Sequence, residues 1–259
     1  MSTIITTGGR PDERSEQLAV DAAEVLGYPI IERKKRSVVR LQQEYGADVI
    51  VAGKDRFDLY RIGMDEPFFF HPNSAAFRLK RLMKGETDPL VEVAQLKKGD
   101  SFLDCTLGLA SDSIIASYIT GSSGKVMGVE ADREVAFITK RGLRSFPSES
   151  EQLVQAMYRI NVIQVDAVQF LREQPDSSWD IVYMDPMFHS PIEESTNFTA
   201  LRQVGVHSLL TQEWMEQAHR VCKHRVVVKD RFDSPVFEQF QMEQKIRPNT
   251  KFHFGVIEK

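Results

Sequence analysis

From residue 99 onward, short apolar runs alternate with amphipathic stretches. SFLDCT at 101–106, KVMGVE at 125–130, NVIQVD at 161–166, WDIVYMD at 179–185 and RVVVK at 225–229 are each of strand length. Between them, Ser113–Ile119 and a stretch beginning near Arg133 carry helical spacing, and a long helical region leads up to Cys222. Apolar strands alternating with helices predict a mostly parallel sheet covered on both faces. The last two runs, Lys245–Arg247 and Phe252–Glu258, are parted by PNT and predict a hairpin. The reading is therefore a Rossmann-like α/β sheet of seven strands whose C-terminal strand is antiparallel. Dinucleotide oxidoreductases usually lack that closing hairpin.

The N-terminal pattern is shorter in period. Ser2–Thr7, Val49–Val51 and Phe57–Arg61 read as strands, and Asp12–Leu26 places Leu18, Ala19, Ala22, Val25 and Leu26 at helical spacing. Asp12 is a natural cap for that helix and Gly27 a natural stop. Arg36–Tyr45 predicts a second, shorter helix. Residues 1–70 thus form a small α/β module, 71–97 a helical bridge and 98–259 the larger domain. In the bridge, SAAFRLKRLMKG carries Arg78, Lys80, Arg81 and Lys84, with Asn73 or Ser74 as the expected cap and Gly85 as the end.

Composition changes this picture little. Hydrophobic residues make up 42% and charged residues 27%, as in an ordinary globular protein. No run is long enough to cross a bilayer, and MSTIITTGGRPDE lacks a basic segment followed by an apolar one. The expectation is a cytoplasmic protein with no membrane contact. Cys105 and Cys222 are far apart and without metal-ligand spacing, so free buried thiols and no metal site are expected. A net charge of -4 gives no general attraction to nucleic acid, although a local basic patch can coexist with it.

The chemistry lies at the strand ends, where ligands bind in open parallel sheets. The first ends in Asp104, followed by TLGLASD with Gly108, Ser111 and Asp112. The second ends in Glu130, the third in Asp166 and the fourth in Asp185. Any one of these carboxylates is explained by helix capping, but the set of four is not so easily explained. The loop lacks the G-x-G-x-x-G fingerprint, and its acids would repel a pyrophosphate. They suit S-adenosylmethionine, which carries an ammonium and a sulfonium and no phosphate. Glu130 is placed to accept ribose hydroxyls, and Asp166 to accept an adenine amine.

Asp185-Pro186-Met187-Phe188 marks the candidate reaction centre. A carboxylate beside a backbone carbonyl can accept both hydrogens of an amine and so orient its lone pair. Pro186 stiffens the loop, and Phe188 can stack on a planar ring that carries the amine. The plainer alternative is a strand-to-loop turn with a buried Phe. The chemical reading points to a planar amine, most simply a nucleobase.

DCTLGLASD at 104–112, VYMDPMF at 182–188 and RVVVK at 225–229 resemble, in order and spacing, the RsmJ family of small-subunit ribosomal RNA guanine methyltransferases. The resemblance covers residues 68–259, and the whole chain resembles an uncharacterised Firmicutes branch of that superfamily. It implies a class I methyltransferase acting on the exocyclic amine of a guanine in 16S ribosomal RNA. It also implies cofactor contacts at Ser111 and Asp112, Glu130 and Ala131, Asp166 and Ala167, and Asp185. The chain departs from the family at Ala110-Ser111, where the family carries Gly-Arg.

For the substrate side, Arg78, Lys80, Arg81 and Lys84 are candidates for backbone phosphates, against a simple solvated helix face. His189, next to Phe188, and Lys229, at the end of RVVVK, are candidates for the acceptor cleft. DNA, a small molecule or a protein amine remain open as acceptors. So does a non-catalytic binding protein on a methyltransferase scaffold; an NAD-dependent oxidoreductase is the least favoured. The oligomeric state, monomer or homodimer, is not legible.

Overall fold

A computed structural model describes residues 2–186, 210–248 and 250–259. The chain begins β1 (Ser2–Thr7), α1 (Glu13–Leu26), α2 (Val38–Tyr45), β2 (Ala47–Ala52) and β3 (Phe57–Tyr60). Next come α3 (Asn73–Met83), α4 (Pro89–Ala94), β4 (Ser101–Asp104), α5 (Ser111–Thr120) and β5 (Lys125–Glu130). Then follow α6 (Arg133–Ser145), α7 (Glu151–Arg159), β6 (Asn161–Gln164), α8 (Ala167–Arg172) and β7 (Trp179–Met184). The described chain ends with α9 (Gln212–Val221), β8 (Cys222–Arg231), α10 (Val236–Gln239), β9 (Glu243–Lys245) and β10 (Phe252–Glu258). None of the described helices is long and apolar enough to cross a membrane.

The larger sheet has the order β6-β5-β4-β7-β8-β10-β9. Strands β4 to β8 pair in parallel, and β10 runs antiparallel to both β8 and β9. The hairpin expected at the C-terminus is therefore present, with its last strand inserted between β8 and β9. Strand order reverses between β4 and β7, which places the strand-end loops after Asp104 and Met184 side by side.

Local signals explain most boundaries. Asp12 and Ser15 form a reciprocal capping box on α1, and Gly27 ends it at φ 67°. Helix α3 is a correction: it begins after Pro72 with no side-chain cap, so neither Asn73 nor Ser74 has that role. The sequence reading omits α4 and α8, each only six residues long, and the nine-residue α7, which Ser150 caps.

The smaller sheet, β1-β2-β3, shares an apolar core with the larger one. Ile5, Ile50, Leu59 and Phe68 belong to the same buried cluster as Phe102, Ile114 and Ile138. A polar clamp reinforces that contact. Arg61 lies 2.9 Å from Asp48, 2.5 Å from Asp132 and 3.4 Å from Glu134, while Tyr28 and Thr3 hydroxyls donate to Glu134. Cys105 and Cys222 are free and buried. Burial pushes the Cys105 thiol well up and that of Cys222 up to about 11, so neither is a nucleophile at neutral pH.

Candidate cofactor and acceptor site

The loop after β4 is shaped by hydrogen bonds to the next strand and helix. Leu107 N–H donates to the Val129 carbonyl, Gly108 N–H to Glu130, and the Thr139 hydroxyl to the Gly108 carbonyl. Gly108 has φ 48° and Ala110 φ 59°, so the loop doubles back before α5. Gly128 permits this approach, because a Cβ there would lie 2.3 Å from Leu107 Cδ1.

Asp104 is placed differently from the sequence reading. Its side chain is 1% exposed, and it accepts bonds from Thr106 N–H and the Ser113 hydroxyl. Those two bonds tie it to the loop and to the first turn of α5. Burial raises its pKa to about 7. Glu130 is half-buried at the end of β5 and accepts from Gly108 N–H at 3.0 Å and Asp132 N–H at 2.9 Å. Burial raises it to about 7 as well, against those two bonds. Ala131 follows it directly.

Asp166 caps α8 by accepting from Gln169 N–H and is otherwise exposed; Ala167 is buried in the first turn. Here the capping explanation accounts for the bond observed.

The densest chemistry runs from α3 to the end of β7. Arg78 holds Asp88 through Nε and Nη2 at 2.8 and 2.9 Å, and Asp112 through Nη1 at 2.6 Å. Asp112 also accepts from the Tyr183 hydroxyl at 2.7 Å and lies 3.4 Å from Lys229 Nζ. Lys229 in turn lies 2.5 Å from Asp185 Oδ2. Charges alternate along this line: Asp88, Arg78, Asp112, Lys229, Asp185.

Burial opposes ionisation of Asp112, but Lys229 and Arg78 outweigh it and hold the carboxyl well below its usual range. Burial likewise opposes the charge on Lys229, yet Asp112 and Asp185 raise its pKa. Asp185 moves upward, because burial and the Asp112 charge exceed the pull of Lys229. Burial and the nearby carboxylates keep Tyr183 protonated, as its donor role requires.

The cationic candidates on α3 are separated by this geometry. The Arg78 guanidinium turns inward to carboxylates, so its reading as a phosphate contact is replaced by that of an internal ion-pair partner. Lys80, Arg81 and Lys84 are exposed, Arg81 pairing with Glu86. Lys229 meets Asp185 directly. Pro186 is buried beside Asp185, and Asp185 N–H donates to the Thr106 hydroxyl at 2.7 Å. Phe188 and His189 lie outside the described residues.

Sequence reasoning missed Asp88, Tyr183 and Thr106. Strand alternation offered one clue, since Tyr183 and Asp185 are two apart and share a face. Nothing local marks Asp88, which reads only as the cap of α4.

A model of the family described as "Putative SAM-dependent methyltransferase" matches residues 67–254. The chain belongs to this family. It is a SAM-dependent methyltransferase. This methyltransferase is 42% identical over 255 residues to the uncharacterised protein YpiP of Bacillus subtilis (strain 168), covering 98% of this chain and 99% of that one. It is also 27% identical over 132 residues to ribosomal RNA small subunit methyltransferase J of Buchnera aphidicola subsp. Acyrthosiphon pisum (strain APS). That match covers 50% of this chain and 52% of the relative. Among solved structures, the SAM-dependent methyltransferase NGO1261 of Neisseria gonorrhoeae shares the fold, with a TM-score of 0.59 and 17% identity over 98% of this chain and 95% of that one.

The cofactor is S-adenosylmethionine. The residues present fit such a group. Among the described residues the buried Ser111 hydroxyl has no hydrogen-bond partner, and it stands at the start of a helix that has no side-chain cap. Glu130, Asp112 and Asp185 are carboxylates at these strand ends and loop, the last two paired with Lys229 and Asp112 also with Arg78.

Proposed function

We propose that this methyltransferase modifies the exocyclic amine of a nucleobase in structured RNA, with guanine in ribosomal RNA as the leading candidate. The observation that carries the reading is Asp185, a carboxylate at the end of β7 that is gripped on one oxygen by Lys229. A buried ion-pair line of this kind contributes little net stability, because desolvation offsets the Coulomb gain. Its value lies in fixing one carboxylate beside the Pro186 carbonyl.

When bound, the cofactor supplies an electrophilic methyl group on a sulfonium. The chain's own residues prepare the acceptor. Asp185 and the Pro186 carbonyl accept the two amine hydrogens, which turns the nitrogen lone pair away from the ring. As nitrogen gains positive charge, the carboxylate stabilises it and takes the proton that must leave. Lys229 holds that carboxylate in place. Glu130 and Ala131, with Ser111 and Asp112, serve the cofactor side; Asp166 and Ala167 are placed to flank it.

The RNA acceptor is supported by the RNA methyltransferase relatives and by the exposed basic face of α3. On this reading Lys80, Arg81 and Lys84 contact backbone phosphates. Arg81→Glu is then expected to weaken RNA binding and flatten its salt dependence. The decisive experiment transfers labelled methyl groups to separate RNA, DNA, protein and small-molecule pools, followed by nucleoside analysis. Label recovered as an N-methylated guanine supports the proposal. Label confined to any other pool refutes it.

A further inference from the structure

The link between β9 and β10 lies at the same end of the sheet as Asp185. β10 pairs antiparallel with β8, placing Phe252 opposite Arg231 and Phe254 opposite Lys229. Lys229 Nζ is 5.0 Å from the centre of the Phe252 ring. Arg247 Cζ lies 4.6 Å from the centre of that same ring and 5.8 Å from that of Phe254. One aromatic side chain therefore ties Arg247 to the lysine that grips Asp185.

Arg247 differs from the cations around it. Arg78, Lys229 and Arg231 are each paired with a carboxylate, whereas Arg247 meets none within salt-bridging distance among the described residues. It is half-buried, and burial lowers its pKa while Asp88 supports its charge and Arg78 opposes it. A guanidinium stacked on aromatic rings keeps its N–H edge available, and that planar edge matches a phosphate in two-point geometry. Phe232, half exposed at the end of β8, is bonded through its N–H to the Lys251 carbonyl and packs its ring against His253.

We propose that Arg247, seated on Phe252, is an anion subsite at the mouth of the acceptor cleft that takes a nucleotide phosphate. The ligand is the phosphate of the acceptor nucleotide or of its neighbour in the strand. This subsite deepens the RNA reading and rests on it.

The test compares wild type with Arg247→Ala, Arg247→Lys and Arg172→Ala, each with S-adenosylmethionine present. Arg172 is a charge control: it is exposed in the last turn of α8, where it pairs with Glu213 of α9. The probes are a fluorescein-labelled mixed-sequence 20-nucleotide RNA and guanosine monophosphate. Arg247→Ala is expected to weaken RNA binding roughly tenfold and to reduce the salt slope by roughly 0.7, the loss of one single-strand phosphate contact. Arg247→Lys should restore the slope and only part of the affinity. Cofactor affinity, read by calorimetry, should stay at the wild-type value. An equal loss for guanosine monophosphate assigns the phosphate to the acceptor nucleotide, and a loss confined to RNA assigns it to a neighbour.

Unchanged RNA affinity and slope in Arg247→Ala would overturn the subsite, as would a parallel fall in cofactor affinity. If wild type methylates RNA and Arg247→Ala is unaffected, the subsite alone fails. If wild type neither binds nor methylates RNA, the RNA reading fails with it.

Discussion

At the level of single residues, Asp185 and Glu130 make separable predictions. Asp185→Asn keeps the shape but loses the charge that, in the proposed function, accepts the amine proton. Methyl transfer should fall by roughly 10²–10⁴-fold, while cofactor affinity measured by calorimetry changes little. Loss of cofactor binding would move Asp185 to the other side of the site. Glu130 gives the pH dependence. Its pKa of about 7 in the free protein is a consequence of burial, so the acid form prevails below that pH. A ribose diol donates hydrogen bonds and favours the carboxylate, so binding lowers the pKa and releases a proton. Cofactor affinity should therefore climb as pH rises toward 7 and level off above it. Titration at pH 6.5 in two buffers of different ionisation heat checks the sign, and proton uptake would contradict the assignment. The sign for folding is opposite: with pKa values raised to about 7, Asp104 and Glu130 favour the folded protein most below their unfolded pKa values and lose that contribution as pH rises to 7.

Among the elements, the long strands were legible because each is an apolar run of strand length. β4, β5, β7 and β8 needed no tertiary information, and their acidic ends could be read directly. What the pattern could not show is which oxygen of each carboxylate is already bonded. Asp104 and Asp185 look alike in sequence, yet one is sealed under the loop by Thr106 and Ser113 and the other is turned toward Lys229. Nor could it show Arg78 reaching back from α3 to a carboxylate 34 positions later. The junction of α6 with the small sheet is equally non-local, and it is testable. Arg61→Met would leave Asp48, Asp132 and Glu134 buried beside one another without their cation. Burial already lifts Asp132 to about 6 despite Arg61. Urea denaturation at pH 8 should show a loss of about 3–5 kcal/mol, and a smaller loss at pH 5, where Asp132 can take up a proton. An equal loss at both pH values would mean that packing, not charge, accounts for the effect.

At the scale of the whole molecule, the chain divides by topology but not by core. The sequence suggests a boundary near residue 70, because the strand pattern changes there and basic α3 follows. The physical contacts cross that boundary: Phe57 packs on Phe137 with ring centres 5.1 Å apart, and Phe70 lies against Gly142, where a Cβ would sit 2.1 Å from its Cγ. Cutting the chain at 70 would expose Phe137, Ile138 and the apolar side of α6, the helix that begins three residues after Glu130. Burial of a Phe or Ile side chain is worth about 1.5–3 kcal/mol, so losing several such contacts is comparable to the whole stability of a domain. A fragment comprising residues 71–259 should therefore be aggregated, or should melt well below the intact chain. It should also lose cofactor binding, because α6 and the turn at Glu130 lose their support together. Circular dichroism and calorimetry on the two chains decide the point: a fragment with the melting temperature and cofactor affinity of the full protein would show that residues 1–70 form an independent accessory unit. Gly142→Ala probes the same seam without a deletion. Forcing a methyl into the Phe70 ring should cost about 1–3 kcal/mol in the intact chain, and nothing if the seam is loose.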